Sequence, residues 1–174
     1  SCFHGVDRWK KECSCTDGAD WKKPFFTAMK TLADWLEKVF YETVINYVRD
    51  PWELRHRFIR LMNGQKTLEG ICDDLLVQQL NEHDKEKITM MLKSQYERQR
   101  MFTSCGWFFD EFHRIEPQNN IAYAANAAWL TEKVTGKSPE QEILKLFGKV
   151  YSKKTGLRGD TVYTQTLLRA KNET

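Results

Sequence analysis

Apolar residues recur at intervals of three and four through most of this sequence, which is the spacing of one face of an α-helix. The clearest stretch runs from Phe25 to Val48, where charged residues such as Lys30, Asp34 and Glu37 separate the apolar positions. No stretch of useful length alternates apolar and polar residues with period two, as a half-exposed strand would. The pattern therefore predicts an all-α chain.

Proline, glycine and asparagine divide this pattern into separate helices. Asp50 followed by Pro51 predicts the end of the first helix and the capped start of a second, which ends at Asn63-Gly64. Ser138 to Gln141 is interpreted as a capping box. Further helices are predicted over about 67–80, 85–103, 118–135 and 139–151, with a short one after 160. We expect one bundle-like domain of about seven helices over residues 1–174, with an irregular N-terminal segment that contains Cys and His.

Composition supports a packed globular chain and argues against several classes of partner. Of the 174 residues 41% are hydrophobic and 13% aromatic, which excludes a disordered chain. The net charge of +3 is spread along the sequence without a basic stripe, so we expect no nucleic-acid partner. No apolar run reaches the ~20 residues that cross a bilayer, so no membrane partner is expected. Five cysteines, an odd number, favour a reducing cytoplasm.

Two segments carry more aromatic and reactive side chains than a helical bundle requires. Residues 1–20 combine cysteines with His4, Arg8 and Trp9, and the chain opens inside this motif, so we expect a fragment cut from a longer protein. The second segment is Thr103 to Glu111, where a glycine and three consecutive aromatic residues interrupt a helical pattern. These segments hold the candidate functional residues.

The N-terminal cysteines and histidine have the ligand types of a tetrahedral zinc site, namely Cys2, His4, Cys13 and Cys15. Their spacing departs from the usual pattern, because one residue separates each pair whereas structural sites usually have two to four. Two alternatives remain: the thiols pack a loop while His4 makes a polar contact, or a cysteine beside Arg8 is a reactive thiolate. We expect no cofactor other than zinc, and zinc would be bound only if these four residues form a metal site.

Trp107 and Asp110 together suggest a sugar-binding surface in the second segment. A bend at Gly106 would turn the indole of Trp107 outward, where a hexose could stack on it while Asp110 accepts hydroxyl hydrogen bonds. The alternative is that these aromatic residues are simply core. Neighbouring carboxylates such as Asp110 and Glu111 point apart on a helix, so they do not form the pair that glycoside hydrolysis needs. We therefore predict no catalytic residues in this chain.

Both motifs resemble an uncharacterised domain that lies C-terminal to the catalytic barrel of glycoside hydrolase family 57-like proteins, often labelled alpha-amylase or alpha-mannosidase. The resemblance is carried by Cys-x-His-Gly-Val-x-Arg-Trp with Cys-x-Cys at residues 2–15, and by Phe-Thr-Ser-Cys-Gly-Trp-Phe-Phe-Asp at 102–110. Arg49-Asp50-Pro51-Trp52 and the segment 159–163 extend it over nearly the whole chain. Ser14 and Glu111 depart from the family's commoner Gly and Asp.

The resemblance implies an accessory helical domain that helps to form or close a carbohydrate-binding cleft. Its partners would be the upstream catalytic barrel of the same polypeptide and an α-glucan-type carbohydrate, with hydrolysis or glucan transfer performed by the barrel. The predicted carbohydrate-binding residues are Trp107, Asp110, Trp9, Arg8 and His4. Two alternatives stay open: a helical interaction module with a structural zinc site and no carbohydrate contact, or aromatic residues that only pack against the barrel.

Overall fold

A computed structural model describes residues 3, 5–14 and 18–172 of the chain. Its α-helices are α1 (Lys22–Val44), α2 (Pro51–Met62), α3 (Leu68–Cys72), α4 (Glu82–Arg100), α5 (Cys105–Phe108), α6 (Ile115–Thr135), α7 (Glu140–Phe147) and α8 (Gly159–Asn172). Seven of these have five or more residues, and short 3-10 helices lie at Gly5–Trp9 and Asp73–Leu75. Within the described residues the β-structure consists of two isolated bridges. The predicted all-α fold is confirmed.

Helix α1 joins the two hydrophobic clusters of the structure. Its N-terminal half contributes Phe25, Met29 and Leu32 to a cluster with α5, α6, α7 and α8. Its C-terminal half contributes Phe40 and Val44 to a second cluster with α2, α3 and α4. Trp35, which is partly buried, packs against both clusters. The face predicted from the periodicity is therefore the face that is buried.

Helix α6 packs against α4 and α8. The alanines at 124, 125, 127 and 128 are buried and let α4 approach closely. At this contact the hydroxyl of Ser94 lies 2.9 Å from the carbonyl oxygen of Ala127 and 2.8 Å from the hydroxyl of Thr131. None of the helices in the described part of the chain is long and apolar enough to cross a membrane.

The helix ends follow the sequence signals at some positions and not at others. Asp50 accepts hydrogen bonds from two backbone N–H groups of α2, and Gly64 adopts the predicted left-handed conformation after α2. Gly136 adopts the same conformation after α6. The first helix was predicted to reach Val48 but ends at Val44, because Val48 instead pairs with Leu76 in a bridge.

Three further predictions of helix starts and lengths are wrong. One of them is the helix predicted over 139–151, which ends at Phe147. The helix predicted over 67–80 is only the five residues of α3 followed by a 3-10 turn, since the chain turns extended at Leu76 to form that bridge. The capping box predicted at Ser138 is absent, because Pro139 is the N-cap of α7 and no side chain caps it.

Candidate functional site

The two motifs that were separated in the sequence meet around the carboxylate of Asp110. Arg8 donates from Nη2 to Asp110 Oδ2 at 2.7 Å, and Lys22 donates from Nζ to Asp110 Oδ1 at 3.0 Å. Lys22 also donates to the carbonyl oxygen of Arg8 at 3.1 Å. We call these three residues the Asp110 cluster. Through these contacts the N-terminal segment, the start of α1 and the loop after α5 are hydrogen-bonded to one another.

The electrostatics of the Asp110 cluster are dominated by the burial of Lys22. Its side chain is completely buried, whereas those of Arg8 and Asp110 are about one quarter exposed. Burial lowers the pKa of Lys22, and the hydrogen bond and negative charge of Asp110 oppose that shift. The indole Nε1 of Trp21 donates to the backbone oxygen of Asp110 at 2.7 Å. Asp110 is therefore held by three donors from the other segments.

Trp107 is packed in the core and does not face solvent. It is 4% exposed, and its ring lies 4.6 Å from Phe25 and 6.0 Å from Phe26, centroid to centroid. Phe102 stacks on it at 5.8 Å with an interplanar angle of 12°. The outward orientation predicted for this indole is therefore wrong, and the open alternative that the aromatic residues are core is correct for Trp107. The ring offers a sugar no open face.

Gly106 is required here by a close approach of helices and not by an outward bend. A Cβ at this position would lie 2.4 Å from Nδ2 of Asn120 on α6. Asn120 is buried and is held in place by two hydrogen bonds, since it accepts from the hydroxyl of Thr103 at 2.8 Å and donates to the Thr103 carbonyl at 3.1 Å. The glycine lets α5 lie directly on α6.

We expect Gly106→Ala to lower the free energy of unfolding by ~2 kcal/mol, because the added methyl must displace Asn120 from its hydrogen bonds. Urea denaturation monitored by circular dichroism measures the change. Gly70→Ala is the matched control, since the nearest atom to its new Cβ is Lys66 Cδ at 3.3 Å, on a flexible side chain. That variant should be neutral or more stable by ~0.5 kcal/mol. Equal effects at the two glycines would contradict the close-approach explanation.

Of the other predicted carbohydrate-binding residues, the structure describes Arg8, Trp9 and Asp110. Arg8 belongs to the Asp110 cluster, and its guanidinium lies 5.6 Å from the ring centroid of Phe108. Trp9 is partly buried and also contacts Phe108, at 5.8 Å between centroids. The structure thus brings Arg8, Trp9 and Asp110 together. His4 lies outside the described residues.

The zinc hypothesis is largely untested, because Cys2, His4 and Cys15 also lie outside the described residues. Cys13 is described and is buried at 8% exposure. Within the described residues no group of three ligating side chains is found. The proposed set of four ligands therefore stays a prediction.

Sequence reasoning missed a polar groove next to Asp110. One pocket, of about 170 Å³, is lined by Asp110, Glu111, His113, Trp21 and residues 152–154. A second, more open depression of about 570 Å³ also has His113 in its lining, together with residues 155–158. We call the two together the His113 groove.

The walls of the His113 groove carry hydrogen-bonding groups of several kinds. Nδ1 of His113 lies 3.3 Å from the hydroxyl of Ser152, and Lys154 pairs with Glu111 at 3.3 Å. Residues 152–158 are far from Asp110 in sequence and form no motif. Only the loop between α7 and α8 brings them to the site, so the spacing of residues gave no signal for it.

Residues 19–173 match the family described as "Domain of unknown function (DUF3536)". No curated protein and no solved structure matches the chain significantly.

Proposed function

We propose that this chain, which belongs to the DUF3536 family, is a non-catalytic helical domain that supplies one wall of a carbohydrate-binding cleft. The catalytic residues would lie in an upstream barrel of the same polypeptide, as the resemblance to glycoside hydrolase family 57-like proteins implies. One observation carries the proposal: the two motifs of that resemblance meet at Asp110, and Asp110 borders the His113 groove.

The groove has the chemistry that a hydroxyl-rich ligand requires. Sugar hydroxyls both donate and accept hydrogen bonds, and the groove offers the carboxylate of Glu111, the imidazole of His113, the hydroxyl of Ser152 and the ammonium groups of Lys153 and Lys154. Glu111 and Lys154 are about half and two-thirds exposed, so a ligand can reach both. The two pockets share His113, so a ligand longer than a single sugar could contact both of them.

Within this proposal Asp110 positions the wall of the cleft. Both of its carboxylate oxygens already accept hydrogen bonds from cations, Arg8 and Lys22, which fixes the loop that carries Glu111 and His113. Carbohydrate contacts by His4 and Trp9 remain proposed. We assign Trp107 the role of anchoring α5 in the core, so that this loop leaves the bundle at a defined place.

The proposal is tested by titrating the ¹⁵N-labelled chain with maltoheptaose and following amide chemical shifts. We expect saturable shifts in residues 111–113 and 152–157, with a dissociation constant on the order of millimolar because only one wall of the cleft is present. His113→Ala should weaken binding about fivefold, as expected for the loss of about one hydrogen bond.

His56→Ala is the matched control, because His56 is exposed on α2 and lines a different groove. It should leave the maltoheptaose affinity unchanged. Shifts absent up to tens of millimolar, or shifts spread evenly over the surface, would overturn the proposal.

A further inference from the structure

A second groove lies between α2 and α4, on other elements than those that form the His113 groove. We call it the α2–α4 groove. Its volume is about 250 Å³, close to the ~300 Å³ at the small end of the range for small-molecule pockets. Its apolar lining consists of Phe58, Ile59, Met62, Leu92 and Tyr96. Ile59 and Met62 are 56% and 42% exposed, so a ligand can reach this apolar surface.

Arg55 lines the α2–α4 groove and makes no hydrogen bond or ion pair with any described residue. Its Nε is buried, and its guanidinium lies over the ring of Trp52, 4.8 Å from the centroid. Three other arginines of the same two helices each pair with a carboxylate, namely Arg57, Arg98 and Arg100. A buried N–H group without an acceptor is costly. Arg55 is therefore a cation for which the described part of the chain supplies no acceptor.

The polar lining of the α2–α4 groove favours an anion over a cation. It consists of Arg55, His56 and Gln99, and none of the described residues that line the groove is acidic. The guanidinium and the side-chain amide both have N–H donors, and the imidazole can donate from a ring nitrogen. Burial lowers the pKa of Arg55, so a negative charge in the groove would stabilise its charged form. A planar guanidinium suits a carboxylate, because two N–H groups can donate to the two oxygens.

We propose that the α2–α4 groove binds a small carboxylate with an alkyl tail, such as a short-chain fatty acid. The carboxylate would accept hydrogen bonds from Arg55, and the tail would lie along Ile59 and Met62. The groove meets both requirements, since it combines a cation that has a buried, unpaired N–H with an exposed apolar surface. Binding here does not depend on the carbohydrate role of the His113 groove, which is formed by other elements.

Titration of the ¹⁵N-labelled chain with sodium hexanoate at constant ionic strength tests the proposal. We expect saturable amide shifts in residues 55–62 and 92–99, with a dissociation constant on the order of millimolar. Two probes separate the parts of the ligand: 1-hexanol keeps the alkyl tail without the charge, and acetate keeps the charge without the tail. Each should bind at least tenfold more weakly than hexanoate. Equal affinity for hexanoate and either probe, or no saturable shifts up to tens of millimolar hexanoate, would overturn the proposal.

Substitutions on α2 assign the binding to the groove. Arg55→Gln should weaken hexanoate binding about tenfold. Arg60→Gln is the matched control, because Arg60 is exposed on the same helix and does not line the groove, and it should leave the affinity unchanged. Ile59→Ser, at an exposed position, should weaken hexanoate binding about threefold and leave the weak binding of acetate unchanged. Attraction by the general charge of the surface would instead make Arg55→Gln and Arg60→Gln equivalent, which would also refute the proposal.

Discussion

Replacing Trp107 by alanine is expected to lower the free energy of unfolding by ~4 kcal/mol, the range typical for removal of a buried tryptophan. The indole is almost fully buried and is surrounded by Phe25, Phe26 and Phe102. Its loss leaves a cavity that those rings cannot fill without leaving their own contacts. Urea denaturation followed by far-ultraviolet circular dichroism measures the change.

Trp107→Phe separates packing from the polar group of the indole. It keeps an aromatic ring in the core and removes Nε1, which is buried without a partner within the described residues. The smaller ring lowers the free energy of unfolding, whereas removal of the unpaired donor raises it. We therefore expect Trp107→Phe to lower the free energy of unfolding by only ~1 kcal/mol. Carbohydrate affinity should be unchanged in Trp107→Phe. A selective loss of affinity in a stable Trp107→Phe protein would contradict the assignment of this residue to the core.

The helical periodicity was sufficient to predict most of the fold. The buried face of α1, the cap at Asp50 and the left-handed Gly64 follow directly from local sequence. Local rules failed where a distant segment supplied the hydrogen bonds. The chain from Leu76 onward has helical spacing, yet its backbone pairs with Val48 instead, because Arg49 and Val77 donate across that contact.

The candidate site was located correctly by its residue types, but its geometry was not. Gly106 was interpreted as a bend that exposes an indole, whereas it allows α5 to lie against Asn120. A glycine next to aromatic residues is consistent with both arrangements, since the sequence does not say which helix will approach. The distinction depends on the partner at residue 120, which lies on another helix.

Lys22 shows a second limit of sequence reasoning. In the sequence it belongs to a Lys-Lys pair that resembles an exposed surface patch, and only Lys23 is exposed. The burial of Lys22 is possible because Asp110, 88 residues away, supplies a carboxylate. A lysine and an aspartate are each ordinary in isolation, so their pairing was not visible before the fold was known.

Asp110→Asn is expected to lower the free energy of unfolding by ~3 kcal/mol at neutral pH, because it leaves the buried ammonium of Lys22 without its carboxylate. Arg8 loses its partner in the same change, so the N-terminal segment should become more susceptible to proteolysis. Urea denaturation and limited proteolysis measure the two effects. Glu111→Gln is the control, since the Glu111–Lys154 pair is largely exposed and should contribute less than ~0.5 kcal/mol.

The pH dependence of this deficit identifies Lys22 as its source. Burial lowers the pKa of Lys22 in the folded chain below its ordinary value of 10.5. Between this lowered pKa and 10.5 the unfolded chain binds more protons than the folded chain, so the free energy of unfolding rises with pH. Asp110 raises the pKa of folded Lys22, so removal of its charge lowers that pKa further and widens the pH range over which stability rises. The Asp110→Asn deficit should therefore shrink as the pH is raised from about 7 to about 10. In a Lys22→Met background, Asp110→Asn should cost less, and its deficit should no longer depend on pH over this range. A deficit that stays constant with pH in the native background would exclude the buried lysine as its cause.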